Sequence, residues 1–134
     1  MNTNQINSLV LAYLGDAIYE LKIRSYLINK GLNKVNNLQK EALEYVSAKK
    51  QSVFIKRLLD ENLLTEEEIE IVKRGRNAKV NSHPKNTDIL TYKWATALET
   101  LFGYLYIKKD ENRINELINI IIGEWYDCLW KECS

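Results

Sequence analysis

The sequence has one proline, one histidine, two cysteines and five glycines in 134 residues. Each scarcity excludes something. Cys128 and Cys133 stand near the C-terminus with no cysteine or histidine at zinc-ligand spacing, so neither a disulfide framework nor a structural zinc is indicated and both are expected to be reduced thiols. The single His83, beside Pro84, excludes RNA cleavage by a histidine pair, and no serine or cysteine has an activating partner nearby in sequence. No apolar run approaches the roughly 20 residues of a membrane-spanning helix. The polar start from Met1 to Ile6 lacks the basic-then-apolar pattern of a secretion signal, so a soluble, cytoplasmic protein is expected. Alternation with period two over a strand's length is missing as well, and with glycine and proline so sparse the fold class expected is all-α.

Hydrophobic residues make up 46% of the chain, enough for one globular domain spanning residues 1–134. Ile6, Leu9, Val10, Tyr13, Leu14, Ala17, Ile18 and Leu21 follow the three-and-four spacing of an amphipathic helix, with Ser8 or Asn7 as its cap. Gly31 suits that helix's C-terminus. Val35, Leu38, Ala42, Tyr45 and Val46 repeat the pattern, and Val53, Phe54, Arg57 and Leu58 carry it on after a break near Ser47. Thr65 and Glu68 form a capping box before Ile69 and Val72, with Gly75 as the stop. Residues 75–86 then read as a loop. Thr87 or Asp88 caps a long helix burying Leu90, Trp94, Ala97, Leu98, Leu101, Phe102 and Leu105, and a last helix carries Ile114, Leu117, Ile118, Ile121, Ile122 and Trp125.

A net charge of only +1 does not announce a nucleic-acid binder, but the distribution is uneven. Lys73, Arg74, Arg76, Lys79 and Lys85 occupy a stretch free of acids between Glu70 and Asp88. With one histidine in the chain, phosphodiester chemistry would fall to carboxylates holding a divalent cation. Asp16 and Glu99 stand out because each lies in strongly apolar sequence. Asp16 falls about 60° from Tyr13 at 100° per residue, at the edge of the stripe, where it can be part-buried without being in the core. Glu20, one turn on, repels Asp16 by roughly 0.2–0.5 kcal/mol, a cost that a cation would remove, yet Arg24 at four residues offers it an ordinary partner. Gly15 and Gly103 interrupt their helices where another backbone could pack closely. Both acids could equally be helix-surface carboxylates, and spacing leaves that open.

The run Tyr13-Leu14-Gly15-Asp16-Ala17 resembles the signature helix of ribonuclease III endonuclease domains. The run Leu98-Glu99-Thr100-Leu101-Phe102-Gly103-Tyr104-Leu105-Tyr106 is similar to their second acidic helix, with Glu99 and Gly103 on the catalytic glutamate and packing glycine. Between them, residues 74–79 and 84–88 look like the mini-ribonuclease III branch, which lacks a double-stranded-RNA-binding domain. The resemblance covers about residues 9–107. It implies a ribonuclease III-like helical bundle, a homodimer cutting double-stranded RNA, Mg²⁺ held by Asp16 and Glu99, and 5′-phosphate and 3′-hydroxyl products. It further implies precursor 23S ribosomal RNA as substrate, with a large-subunit ribosomal protein as a candidate helper. RNA contacts would come from Arg74, Arg76, Lys79 and Lys85. Where ribonuclease III proper has further carboxylates this chain has Ala12 and Thr96, so a metal would have fewer protein ligands. Two competing readings are a catalytically silent RNA-binding or ribosome-assembly protein and a purely structural helical module.

Overall fold

The computed structural model describes the backbone of residues 6–80 and 83–133, and side chains up to residue 123. The described residues form helices α1 (Ser8–Asn29), α2 (Val35–Val46), α3 (Ala48–Asp60), α4 (Glu66–Asn77), α5 (Ile89–Ile107) and α6 (Glu111–Cys133), with no strand among them. The expected all-α bundle is present. Trp125, Cys128 and Cys133, singled out above, have side chains outside the described residues.

Local chemistry sets the helix ends. Asn7 caps α1, its side-chain oxygen accepting from the Leu9 amide at 2.8 Å. Gly31 closes that helix at φ 109°, with the Leu32 amide donating to the Leu27 carbonyl at 3.2 Å, a left-handed turn that glycine adopts without steric cost. Ser47 ends α2 and caps α3, accepting from the Lys50 amide at 3.3 Å, which is the break anticipated there. The Thr65–Glu68 capping box is formed in full. Asp88, rather than Thr87, caps α5, accepting from the Thr91 amide at 2.9 Å and the Thr91 hydroxyl at 2.7 Å.

Helix α5 is the axis of the bundle. From Ala95 to Leu105 every residue but Glu99 is buried, and α1, α3 and α4 all pack on it. A helix apolar on all sides can satisfy itself only in such a central position. Leu98, Leu101 and Phe102 are fully buried there, each contributing about 1.5–3 kcal/mol by leaving water. Helix α6 adds Ile114, Leu117, Ile118 and Ile121. Arg113 locks its start to α4: its guanidinium donates twice to Glu68 at 2.8 Å and once to the Leu63 carbonyl at 2.7 Å. Burial pushes the Glu68 carboxyl up, but the hydrogen bonds from Arg113 and Thr65 outweigh it and hold Glu68 below the usual range.

Several expected faces are rotated. On α1 the buried residues are Leu11, Ala12, Gly15, Ile18, Tyr19, Ile23 and Leu27, whereas Val10, Tyr13 and Leu21 are 57%, 85% and 58% exposed. The helix is apolar on several sides, and Ala12 and Gly15, weak in any hydrophobic count, mark the side where packing is closest. Val35, Val53 and Leu90, also placed inside by spacing, are exposed. Gly75 is not a stop: α4 runs to Asn77 and Gly75 is buried, where an added Cβ would lie 2.5 Å from the Thr100 hydroxyl of α5. Arg74 and Arg76 therefore belong to the last turn of α4, where positive charge suits the helix dipole, and the loop begins only after Asn77.

Candidate active site

The site is made where α1 crosses α5. A Cβ on Gly15 would overlap the Glu99 carbonyl oxygen and lie 2.7 Å from the Gly103 amide nitrogen; one on Gly103 would overlap the Leu11 carbonyl. Only glycine permits backbones to meet this closely. Because Asp16 follows Gly15 and Glu99 lies four residues before Gly103, the crossing carries the two acids to one place. They line a cleft of about 370 Å³ open to solvent, together with Ala12, Tyr13, Tyr92 and Thr96, and with Leu9 and Val80 at its rim.

The two acids are not equivalent. Asp16 is exposed, not part-buried as its position on the stripe allowed, because the α1 face is rotated away from Tyr13. Glu99 is the partly buried one, and its carboxyl is pushed up to about 9 by burial, by a hydrogen bond with the Asp16 carboxyl, and by the charges of Asp16 and Glu20. Without a cation this favours the protonated form of Glu99 at neutral pH. Glu20 meets Arg24 at 3.1 Å, the ordinary ion pair anticipated for it.

This donor set fits one kind of cation. It offers hard carboxylate oxygens, and the mutual repulsion that raises Glu99 is what a divalent ion would relieve. Among the described residues no cluster of three or more His, Cys, Asp or Glu is placed to hold a metal. An ion at Asp16 and Glu99 must therefore complete its shell with water or substrate oxygens, as Mg²⁺ does readily. Ala12 and Thr96 face the same cleft, and the Thr96 hydroxyl is turned back to the Tyr92 carbonyl at 2.9 Å.

The basic residues divide. A second groove, lined by Asn7, Ser8, Leu9, Arg74, Asn77, Ala78 and Lys79, shares Leu9 with the acidic cleft and adjoins it at Lys79–Val80. Lys79 is exposed in it, while Arg74 is half-buried and donates to the Ile6 carbonyl at 3.2 Å. The Arg76 guanidinium lies 5.0 Å from the Trp94 ring centre, with Lys56 of α3 at 5.6 Å from the same ring. Trp94 sits five residues before Glu99, about 140° round α5, so Arg76 is held away from the acids. Lys85 is exposed in the loop. Sequence reasoning passed over Tyr92, though it falls with Thr96 and Glu99 at helical spacing, and it assigned Tyr13 to the core.

Residues 9–110 match the family model described as Ribonuclease III domain. The chain is 50% identical over 115 residues to a Mini-ribonuclease 3 of Enterococcus faecalis, covering 86% of this chain and 87% of that one. It is 52% identical over 125 residues to a Mini-ribonuclease 3 of Brevibacillus brevis, covering 90% and 92%. A crystal structure of a Fusobacterium nucleatum protein superposes with a TM-score of 0.82 at 38% identity, covering 92% of this chain and 99% of that one.

Proposed function

Because the chain belongs to the mini-ribonuclease III branch of the ribonuclease III family, it is an endoribonuclease of double-stranded RNA, and we propose that its reaction runs at the Asp16–Glu99 cleft with Mg²⁺ as cofactor. The observation that carries this reading is the glycine crossing, which sets two acids from separate helices side by side in an open cleft. Asp16 and Glu99 would hold the ion. Mg²⁺ bound there would supply an activated water for in-line attack and offset charge on the phosphate and leaving oxygen, with 5′-phosphate and 3′-hydroxyl ends as products. Glu99 would have to release its proton to serve as a ligand, and Asp16, being exposed, is the acid open to substrate. The buried walls at Ala12 and Thr96 shape the cleft without adding charge.

Affinity for a duplex comes from charges flanking the cleft. Lys79 and Arg74 line the groove that adjoins it, and we assign phosphate contacts to them, to Lys85 of the loop and to Arg76 beside Trp94. Val10, Tyr13, Ala17 and Leu21 leave an apolar stripe on the outer side of α1, which a second copy would cover to form a homodimer with one cleft for each strand. Precursor 23S ribosomal RNA in the cytoplasm is the substrate we assign, with a large-subunit ribosomal protein as accessory partner. Among the described residues no helix is long and apolar enough to cross a membrane.

The test is incubation of the purified protein with double-stranded RNA, with and without Mg²⁺, beside Asp16→Asn. Metal-dependent cutting that Asp16→Asn abolishes without loss of RNA binding supports the reading. Binding without cutting under any divalent ion favours the silent RNA-binding protein instead.

A further inference from the structure

We infer that Tyr92 is a positioning residue for this reaction, its hydroxyl hydrogen-bonding the ribose 2′-hydroxyl of a nucleotide beside the scissile phosphate; the inference rests on the nuclease reading above. Tyr92, Thr96 and Glu99 follow one another on a single face of α5 and line the same cleft. At a rise of 1.5 Å per residue Tyr92 stands about 10 Å along the helix from Glu99, so a phenol leaning into the cleft reaches the neighbourhood of the reacting phosphate rather than the phosphate itself.

Of the other polar groups of the cleft, Asp16 and Glu99 are the acids assigned to the metal, and the Thr96 hydroxyl donates within α5. Tyr13 is 85% exposed on the outer stripe of α1. Tyr92 differs: its ring is half-buried and packed beside the His83 imidazole, with centroids 6.3 Å apart, and among the described residues nothing takes up its hydroxyl. A half-buried ring that lines the substrate cleft and has no hydroxyl partner among the described residues loses less entropy on making a contact than a fully exposed one would.

The chemistry selects the ligand atom. The cleft is acidic, and a phosphate oxygen there calls for a cation. A neutral phenol both donates and accepts, which matches a hydroxyl that does the same. The wide minor groove of A-form RNA displays its 2′-hydroxyls to such a side chain, and a protein distinguishes RNA from DNA through them.

The experiment compares wild type with Tyr92→Phe, which keeps the ring and its packing on His83. The substrates are an all-RNA duplex with one mapped cut and a set of duplexes each carrying a single 2′-deoxy nucleotide near that cut, with Mg²⁺ present. Tyr92→Phe should lower kcat/KM on the all-RNA duplex about 3- to 10-fold, the range expected for one hydrogen bond, with an unchanged melting temperature. One deoxy position should cost the wild type the same factor and cost Tyr92→Phe nothing. Equal rates for both proteins on the all-RNA duplex, or deoxy losses that slow both proteins alike at every position, overturn the inference. A wild type that does not cut the all-RNA duplex brings down the nuclease reading, and the inference with it.

Discussion

Replacing Gly15 by alanine tests the glycine crossing directly. In a helix interior exposed to solvent, Gly→Ala is stabilising by about 1 kcal/mol. At Gly15 the new methyl would overlap the Glu99 carbonyl and stand 2.7 Å from the Gly103 nitrogen. Carbon contacts settle near 3.5–4.0 Å, so the two helices must part by on the order of 1 Å or more. Overpacking costs about 1–3 kcal/mol where side chains can shift aside. The obstacle here is backbone, so the cost belongs at or above the top of that range, and after the propensity gain a net loss of about 2 kcal/mol or more remains. Urea and thermal unfolding should report it, the latter as a fall of roughly 6–10 °C. The same separation displaces Asp16 from Glu99, and a shift of about 1 Å at reacting groups can cost about 100-fold in rate. Single-turnover cleavage under saturating Mg²⁺ measures that part. Gly123→Ala is the internal control, because among the described residues an added Cβ there meets nothing within 4 Å, so the propensity gain should appear. A Gly15→Ala protein as stable as Gly123→Ala, or one that is destabilised yet cuts at the wild-type rate, refutes the reasoning.

Other consequences are as direct. Glu99 binds its proton more tightly folded than unfolded, so without divalent cation the fold loses stability as pH rises above the ordinary carboxyl range, until Glu99 ionises near 9. At pH 7 this costs a ceiling of about 3 kcal/mol, and with solvent at the cleft about 1–3 kcal/mol. Glu99→Gln removes the cost, so its stability advantage should widen from pH 5 to pH 8 and shrink when Mg²⁺ is added to the wild type; parallel pH curves for the two proteins would reject it. Arg113→Ala strands the buried Glu68 carboxylate and should destabilise by about 3–5 kcal/mol at pH 7. Since Glu68 is held below its unfolded value, that pair's contribution is present at neutral pH and fades as pH falls through the folded value, so the gap between wild type and Arg113→Ala should narrow in acid. Lys79→Gln should weaken duplex binding across sequences and reduce the salt dependence by about one phosphate contact, whereas an unchanged salt slope would remove Lys79 from the interface.

Much of the molecule was legible in the residues. The capping box at Thr65–Glu68, the Asp88 cap, the turn at Gly31 and the break at Ser47 depend on a few neighbouring atoms, and they form as the sequence indicates. The periodicity of α5 announced one buried face, where the structure buries every residue from Ala95 to Leu105 except Glu99. The facing of α1 was not legible, because a helix apolar on several sides has no single stripe and the closest contact is made by Gly15, which has no side chain to count. Gly75 misled for a related reason: glycine at a helix end and glycine under another helix look alike until Thr100 is seen above it. The site was half legible. Asp16 and Glu99 were visible as acids in apolar surroundings and through their motifs, while Tyr92 drew no notice because an aromatic at helical spacing reads as core.

The sequence by itself determined most of the helix caps and that the helices form an all-α bundle, and its motifs singled out Asp16 and Glu99 as candidate acids, since caps, periodicity and motifs are local in the chain. Tertiary structure alone decided that Asp16 is exposed while Glu99 is partly buried with its carboxyl pushed up, that Arg76 is drawn to Trp94, and that Lys79 borders the cleft. The physical reason is that burial and electrostatic environment depend on which helix packs over a residue, and residues 16 and 99 become neighbours only when Gly15 and Gly103 let two backbones touch.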